Sequence, residues 1–123
     1  MSVTVTTVGT SLTTIYTATI GQPGYEEKQG FQIVNGSGGQ AFNAFQVQGR
    51  MHPDAAFVTI KSTSFTGSPS DTYPCWASAD PVTLAAGAGL LLEVTGAWYQ
   101  LRLQASVASG STTATAYAWG GRV

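Results

Sequence analysis

A chain of 123 residues and 12.7 kDa is the length of one domain. Charged residues are only 9 % of it, against about 25 % in an ordinary soluble domain, and the formal net charge is −1. That balance excludes a basic nucleic-acid binder, and the 43 % apolar and 11 % aromatic content excludes charge-driven disorder.

No apolar run approaches the ~18 residues of a membrane span, so no membrane partner is expected. Met1-Ser2-Val3-Thr4-Val5-Thr6 has neither the basic nor the apolar region of a secretion signal and is not expected to be one. What stands in place of charge is Thr (17), Gly (15) and Ser (11). Thr suits a pleated surface through its β-branch. So neutral a coat fits either a β-protein with an uncharged exterior or a surface that lies against neighbours in an assembly, where charge is costly to desolvate.

Along the chain, strand alternation dominates and no window carries a 3.6-residue stripe. Ser2 to Val8 sets Val3 and Val5 on one face and Thr4 and Thr6 on the other, and Gly9 ends it. Leu12 to Ile20 predicts a second strand, and Gly21-Gln22-Pro23-Gly24 a turn. Tyr25 to Gln29 carries the charge cluster Glu26-Glu27-Lys28, expected as a solvated loop. Phe31 to Asn35 predicts a short strand. Asn35-Gly36-Ser37-Gly38-Gly39 predicts a tight, mobile hairpin turn, because Asn-Gly and Gly-Gly accept positive φ.

Phe42 to His52 is the clearest central strand. Phe45, Val47, Gly49 and Met51 share one face, and Gln46, Gln48, Arg50 and His52 the other. Pro53-Asp54 turns the chain, and Ala56 to Ser62 returns it with Val58 and Ile60 inward. Thr66 to Asp80 predicts the longest irregular stretch, of the kind that is functional or interfacial in compact domains. Pro81 to Ala85 predicts a short strand and Leu90 to Thr95 an apolar one. Tyr99 to Val107 alternates Tyr99, Leu101, Leu103, Ala105 and Val107 with Gln100, Arg102, Gln104 and Ser106. Thr112 to Trp119 predicts the last strand, with Ala114, Ala116 and Ala118 on one face.

Eight or nine short strands with no crossover helix predict an all-β fold, an antiparallel β-sandwich of jelly-roll type. One domain is expected over residues 1–123, with residues 1–10 as an N-terminal arm or exchanged edge strand. The expected core is Phe45, Val47, Val58, Ile60, Leu90, Leu92, Leu101 and Leu103.

The residues for catalysis do not assemble. Cys75 is the single cysteine, so no intrachain disulfide and no thiolate metal cluster can form. Nothing basic flanks it to lower its pKa. His52 is the single histidine; in His52-Pro53-Asp54 the proline at a strand end should make the two side chains diverge, which reads as a surface turn. No Gly-x-Ser-x-Gly elbow is present. Glu26 and Glu27, adjacent in sequence, point to opposite faces if extended. Asp54, Asp71 and Asp80 lie in separate turns without calcium-loop spacing. Gly36-Ser37-Gly38-Gly39 lacks the Lys and helix of a phosphate cradle. Asn35-Gly36-Ser37 fits a glycosylation sequon formally but reads as a turn. The expectation is therefore a non-enzyme with no catalytic, cofactor or metal residues. Trp98, placed on the polar face of its strand with Gln100 and Gln104, raises a sugar-stacking alternative; Trp76 and Trp119 read as caps of the sandwich ends or as fillers of an interface.

The segment Val82-Thr83-Leu84-Ala85-Ala86-Gly87-Ala88-Gly89-Leu90-Leu91-Leu92-Glu93-Val94, followed by Gly96-Ala97-Trp98-Tyr99-Gln100-Leu101-Arg102-Leu103-Gln104-Ala105-Ser106, resembles the C-terminal half of small tailed-bacteriophage virion structural proteins. Ser109 to Ala118, and upstream Phe31 to Gly36 and Phe42 to Val47, fit the same pattern, so the resemblance covers Gly30 to Gly121. Its motifs encode turns and strands and no chemistry.

The resemblance implies a jelly-roll-like sandwich that decorates or cements a capsid. The implied partners are the major capsid protein and further copies of the chain, a trimer favoured over a dimer. The implied place is the capsid exterior of a virion, after synthesis in the host cytoplasm. Loop and terminal character then nominate Thr4, Thr6, Tyr73, Trp76 and Trp98 as partner-contacting residues. The alternatives are a carbohydrate- or receptor-binding module of a phage tail or fibre, or another tail or neck component.

Overall fold

In the computed structural model, residues 2–19, 27–62, 75–78, 84–96 and 98–122 are described. Nine strands form among them: β1 (Ser2–Val8), β2 (Thr13–Thr19), β3 (Glu27–Asn35), β4 (Phe42–Arg50), β5 (Val58–Ser62), β6 (Cys75–Ala77), β7 (Gly89–Gly96), β8 (Gln100–Val107) and β9 (Thr112–Arg122). Every pairing is antiparallel. One sheet has the order β1-β9-β3-β7-β6 and the other β2-β8-β4-β5. With the three-residue β6 set aside, successive strands alternate between the sheets except at the β4–β5 hairpin, and the strand orders β1-β9-β3-β7 and β2-β8-β4-β5 are those of a jelly roll, two Greek keys wrapped on each other. The all-β sandwich expected from the alternation is the fold of this chain.

Period-2 patterning builds the interior. Phe31 and Ile33 of β3, Leu90, Leu92 and Val94 of β7, and Ala114, Ala116 and Ala118 of β9 are buried from the five-stranded sheet. Phe45 and Val47 of β4 and Leu101, Leu103, Ala105 and Val107 of β8 meet them from the four-stranded sheet. The sheets are joined edge-to-face by Tyr16 and Phe31, with ring centroids 5.5 Å apart. Alanine at three successive inward positions of β9, Ala114, Ala116 and Ala118, leaves room for the larger side chains opposite.

The structure corrects several expectations. Val58 is 55 % exposed, not inward, because it lies at the end of edge strand β5 opposite Gly49, which has no side chain to cover it. Met51 is also exposed, since β4 stops at Arg50 and the chain enters a turn closed by Ala55 N–H donating to His52 O at 3.0 Å. His52 and Asp54 do not diverge: the amide of Asp54 donates to His52 Nδ1 at 3.1 Å, and the side chains come to 3.8 Å on an exposed turn. Glu27 and Lys28 belong to β3 and not to a loop, while Glu26 lies outside the described residues. The long irregular stretch contains β6, and Leu84 is buried outside any strand, so no strand covers the described part of Pro81 to Ala85.

The turn at Asn35 is anchored. The Asn35 side chain is fully buried; its Nδ2 donates to Gln40 O at 2.8 Å and Leu84 O at 3.0 Å, and its Oδ1 accepts from the Thr112 hydroxyl. The Asn35 amide donates to Ala88 O and its carbonyl accepts from Gly87 N–H, both at 2.9 Å. A Cβ on Gly36 would stand 2.6 Å from Thr113 O, so glycine is required by the close approach of β9. A glycan on Asn35 is incompatible with this arrangement, because both amide hydrogens are committed.

Candidate functional site

Two surfaces hold the chemistry left after the core is built. The first is the edge and outer face of the five-stranded sheet. From Val3 to Thr6 the side chains of β1 are inverted relative to the usual amphipathic strand, whereas Val8 at its end is fully buried. Val3 is 52 % and Val5 63 % exposed, while Thr4 and Thr6 are half-buried opposite Ala116 and Ala114 of β9, on the inner side. Register carries the exposed positions across the sheet: Val3 pairs with Tyr117, Tyr117 with Gln32, and Gln32 with Leu91. Tyr117 is 38 % and Leu91 52 % exposed, so this row is largely apolar.

The four edge strands differ in how they discourage further pairing. β6 is three residues long. β2 is interrupted by a bulge between Thr14 and Tyr16. β5 carries Lys61 and a register shift against β4. β1 has none of these devices: seven residues, unbroken register with β9, and no charge or proline. Indeed no charged side chain occurs before Glu26. Among the described residues no strand pairs with its outer side.

The second surface is the outer face of the four-stranded sheet. Here Gln46, Gln48 and Arg50 of β4 stand opposite Gln104, Arg102 and Gln100 of β8. Arg102 Nε donates to Gln48 Oε1 at 2.6 Å and Arg50 Nε to Gln100 Oε1 at 2.8 Å. Gln48 Nε2 donates to Gln46 Oε1 at 3.0 Å, and Gln104 Nε2 to Thr14 Oγ1 at 3.2 Å. Both guanidinium groups lie over one ring: their central carbons are 4.0 Å (Arg102) and 4.7 Å (Arg50) from the Phe57 centroid. Arg50 Nη1 also donates to Pro53 O at 2.8 Å, which ties the turn to the face. Among the described residues neither arginine has a carboxylate at ion-pairing distance.

The nominated contact residues fall apart in this geometry. Thr4 and Thr6 turn inward, and the exposed side chains of that strand include Val3, Val5 and Thr7. Tyr73 lies outside the described residues. Trp76 is the middle residue of β6, opposite Glu93 of β7. Trp98 is not on the polar face: it is half-buried against the core, and a Cβ on Gly49 would come within 2.7 Å of its ring. Gln100 and Gln104 remain on the polar face without it. Sequence reasoning missed Phe57, whose role appears only when Arg50 and Arg102, 52 positions apart, are placed over it; the alternating Gln and Arg of β4 and β8 were the available signal. Among the described residues no three His, Cys, Asp or Glu side chains gather as a metal set.

The fold and these surfaces define the chain as a jelly-roll β-sandwich with one unprotected edge. No family model matches the chain, and neither a curated protein nor a solved structure matches it.

Proposed function

We propose that the chain is a virion structural protein of the capsid decoration type, acting as a symmetric oligomer bound to the major-capsid lattice. The observation that carries the reading is the β1 edge, long, regular and uncharged, with Val3 and Val5 outward. A strand of this kind is a template for a neighbour's strand, and main-chain hydrogen bonds across it supply affinity without charge. The adjoining row through Tyr117 and Leu91 gives the apolar area that such a contact buries.

Self-association by strand addition or exchange at β1 links copies, and loops at the sandwich ends reach the shell. Binding only to the assembled capsid shifts its stability by mass action. The chain acts in this reading by contact alone, without catalysis or cofactor, on the outside of the capsid. The test is addition of the purified protein to cognate undecorated capsids. Co-sedimentation and a raised capsid melting temperature, both lost in Val3→Lys/Val5→Lys, are expected; no binding and no shift refute it.

A second reading is a carbohydrate- or receptor-binding module of a tail or fibre, or another tail or neck component. The amide row Gln46, Gln48, Gln100 and Gln104 favours it, and Trp98 does not take part. Glycan binding with no effect on capsids would select this reading over the first.

A further inference from the structure

The chain has five Lys and Arg residues in all, and two of them sit over one phenyl ring. Among the described residues no carboxylate lies at ion-pairing distance from either of them. What holds them is a set of neutral partners. Gln48 Oε1 takes Arg102 Nε, Gln100 Oε1 takes Arg50 Nε, and the carbonyls of Pro53 and Ala55 take Arg50 Nη1 at 2.8 and 3.4 Å. The Phe57 ring then supplies the negative face of its quadrupole to both.

The two terminal amino groups of Arg102 meet no acceptor among the described residues, and neither does Nη2 of Arg50. Nε of Arg102 is fixed by Gln48, so the outer edge of the guanidinium is presented as a planar fork. The fork is half-buried, on rigid strands rather than a loop. Around it stand side-chain amides whose remaining ends point to solvent chemistry: Nε2 of Gln100 can donate and Oε1 of Gln104 can accept.

We infer that Arg102, with Arg50 and Phe57, forms a binding site for a carboxylate-bearing saccharide, of the uronic or sialic acid class. The carboxylate takes the two parallel N–H bonds of Arg102. The sugar hydroxyls take the flanking amides, which both donate and accept as hydroxyls require. A flat row of neutral amides beside a planar cation suits a polyhydroxylated acid better than a compact inorganic anion, for which the accepting amide carbonyls have no use. The site lies on the opposite sheet from β1; it deepens the carbohydrate-binding reading of this amide row and rests on it, and it does not depend on the capsid reading.

The test is a titration of the full-length, uniformly labelled protein followed by amide shifts in two-dimensional NMR. The probes are glucuronate, N-acetylneuraminate, glucose and inorganic phosphate. Saturable shifts in the millimolar range with at least one acid sugar are expected, confined to β4, β8 and the Phe57 segment, with none from glucose. Folded Arg102→Gln should bind at least about tenfold more weakly, the loss of a charge-assisted pair, and Arg102→Lys, which keeps the charge without the fork, should not restore it. The inference is overturned by no shift with either acid sugar, by phosphate binding as tightly as the acid sugars, or by shifts elsewhere on the molecule. Undiminished binding in folded Arg102→Gln overturns it as well; the wild-type shift map alone decides the matter if that variant does not fold.

Discussion

The hydroxyl of Thr112 donates to the buried Oδ1 of Asn35, 77 positions earlier in the chain, and so fastens the start of β9 to the β3–β4 turn. The same Asn35 reaches Gln40 O and Leu84 O through Nδ2, which brings three connections of the jelly roll together at one fully buried amide. Asn35→Ala strands the Thr112 hydroxyl and takes a donor from two carbonyls. A loss of about 2–4 kcal/mol is expected, from roughly 1–3 kcal/mol per buried group left unpaired with partial relaxation. Urea unfolding checks it; a loss below about 0.5 kcal/mol would show that water replaces the amide freely.

The core assignment makes a contrasting pair. Leu101 is fully buried between the sheets, whereas Val58 is mostly exposed. Leu101→Ala should cost about 2–5 kcal/mol through lost burial and a residual cavity. Val58→Ala should stay within about 0.5 kcal/mol. Equal losses in chemical denaturation would contradict the placement of Val58.

Gly49 is a packing position. A methyl there would come within 2.7 Å of the Trp98 ring and 2.9 Å of Ile60 Cδ1. The Ile60 methyl can swing away, but the indole is held against the core. Gly49→Ala should therefore destabilise by about 1–3 kcal/mol, with a changed tryptophan fluorescence maximum. A stabilised Gly49→Ala with unchanged fluorescence would place the ring elsewhere.

The sheet edge predicts a separation of stability from association. Val5 is exposed, so Val5→Lys should change unfolding free energy by no more than about 0.5–1 kcal/mol, the scale of surface and strand-propensity effects. Its effect on self-association should be large, because an inserted Lys is the device natural edges use against pairing. Thr6→Lys, which puts the charge on the inner side, should instead destabilise the fold. Thermal melts of the two variants distinguish the faces of β1.

The sandwich was legible because β4 from Phe45 onward, β8 up to Ala105 and β9 from Thr112 to Ala118 alternate, and a period of two needs only one apolar face to be read as a strand. Alternation does not say which face is inner. In β1, Val3 and Val5 lie outside because β9 fills the inner row with Ala114 and Ala116 and meets Thr4 and Thr6 there, while Val8 is buried. β6 escaped notice because three residues, Cys75–Ala77, are too few to show a period. Trp98 was misplaced because parity counted from β8 fails at its first residue: the chain bends before Gln100, and the indole folds back over Gly49. The Arg50–Phe57–Arg102 cluster depends on cross-strand register and a turn together, which no local pattern encodes.

Solution mass by multi-angle light scattering, across a dilution series of wild type and Val5→Lys, tests self-association at the β1 edge most directly. A discrete trimer or dimer for the wild type that falls to a monomer in Val5→Lys is the predicted result. A wild-type monomer at every concentration, or an oligomer indifferent to Val5→Lys, would contradict it.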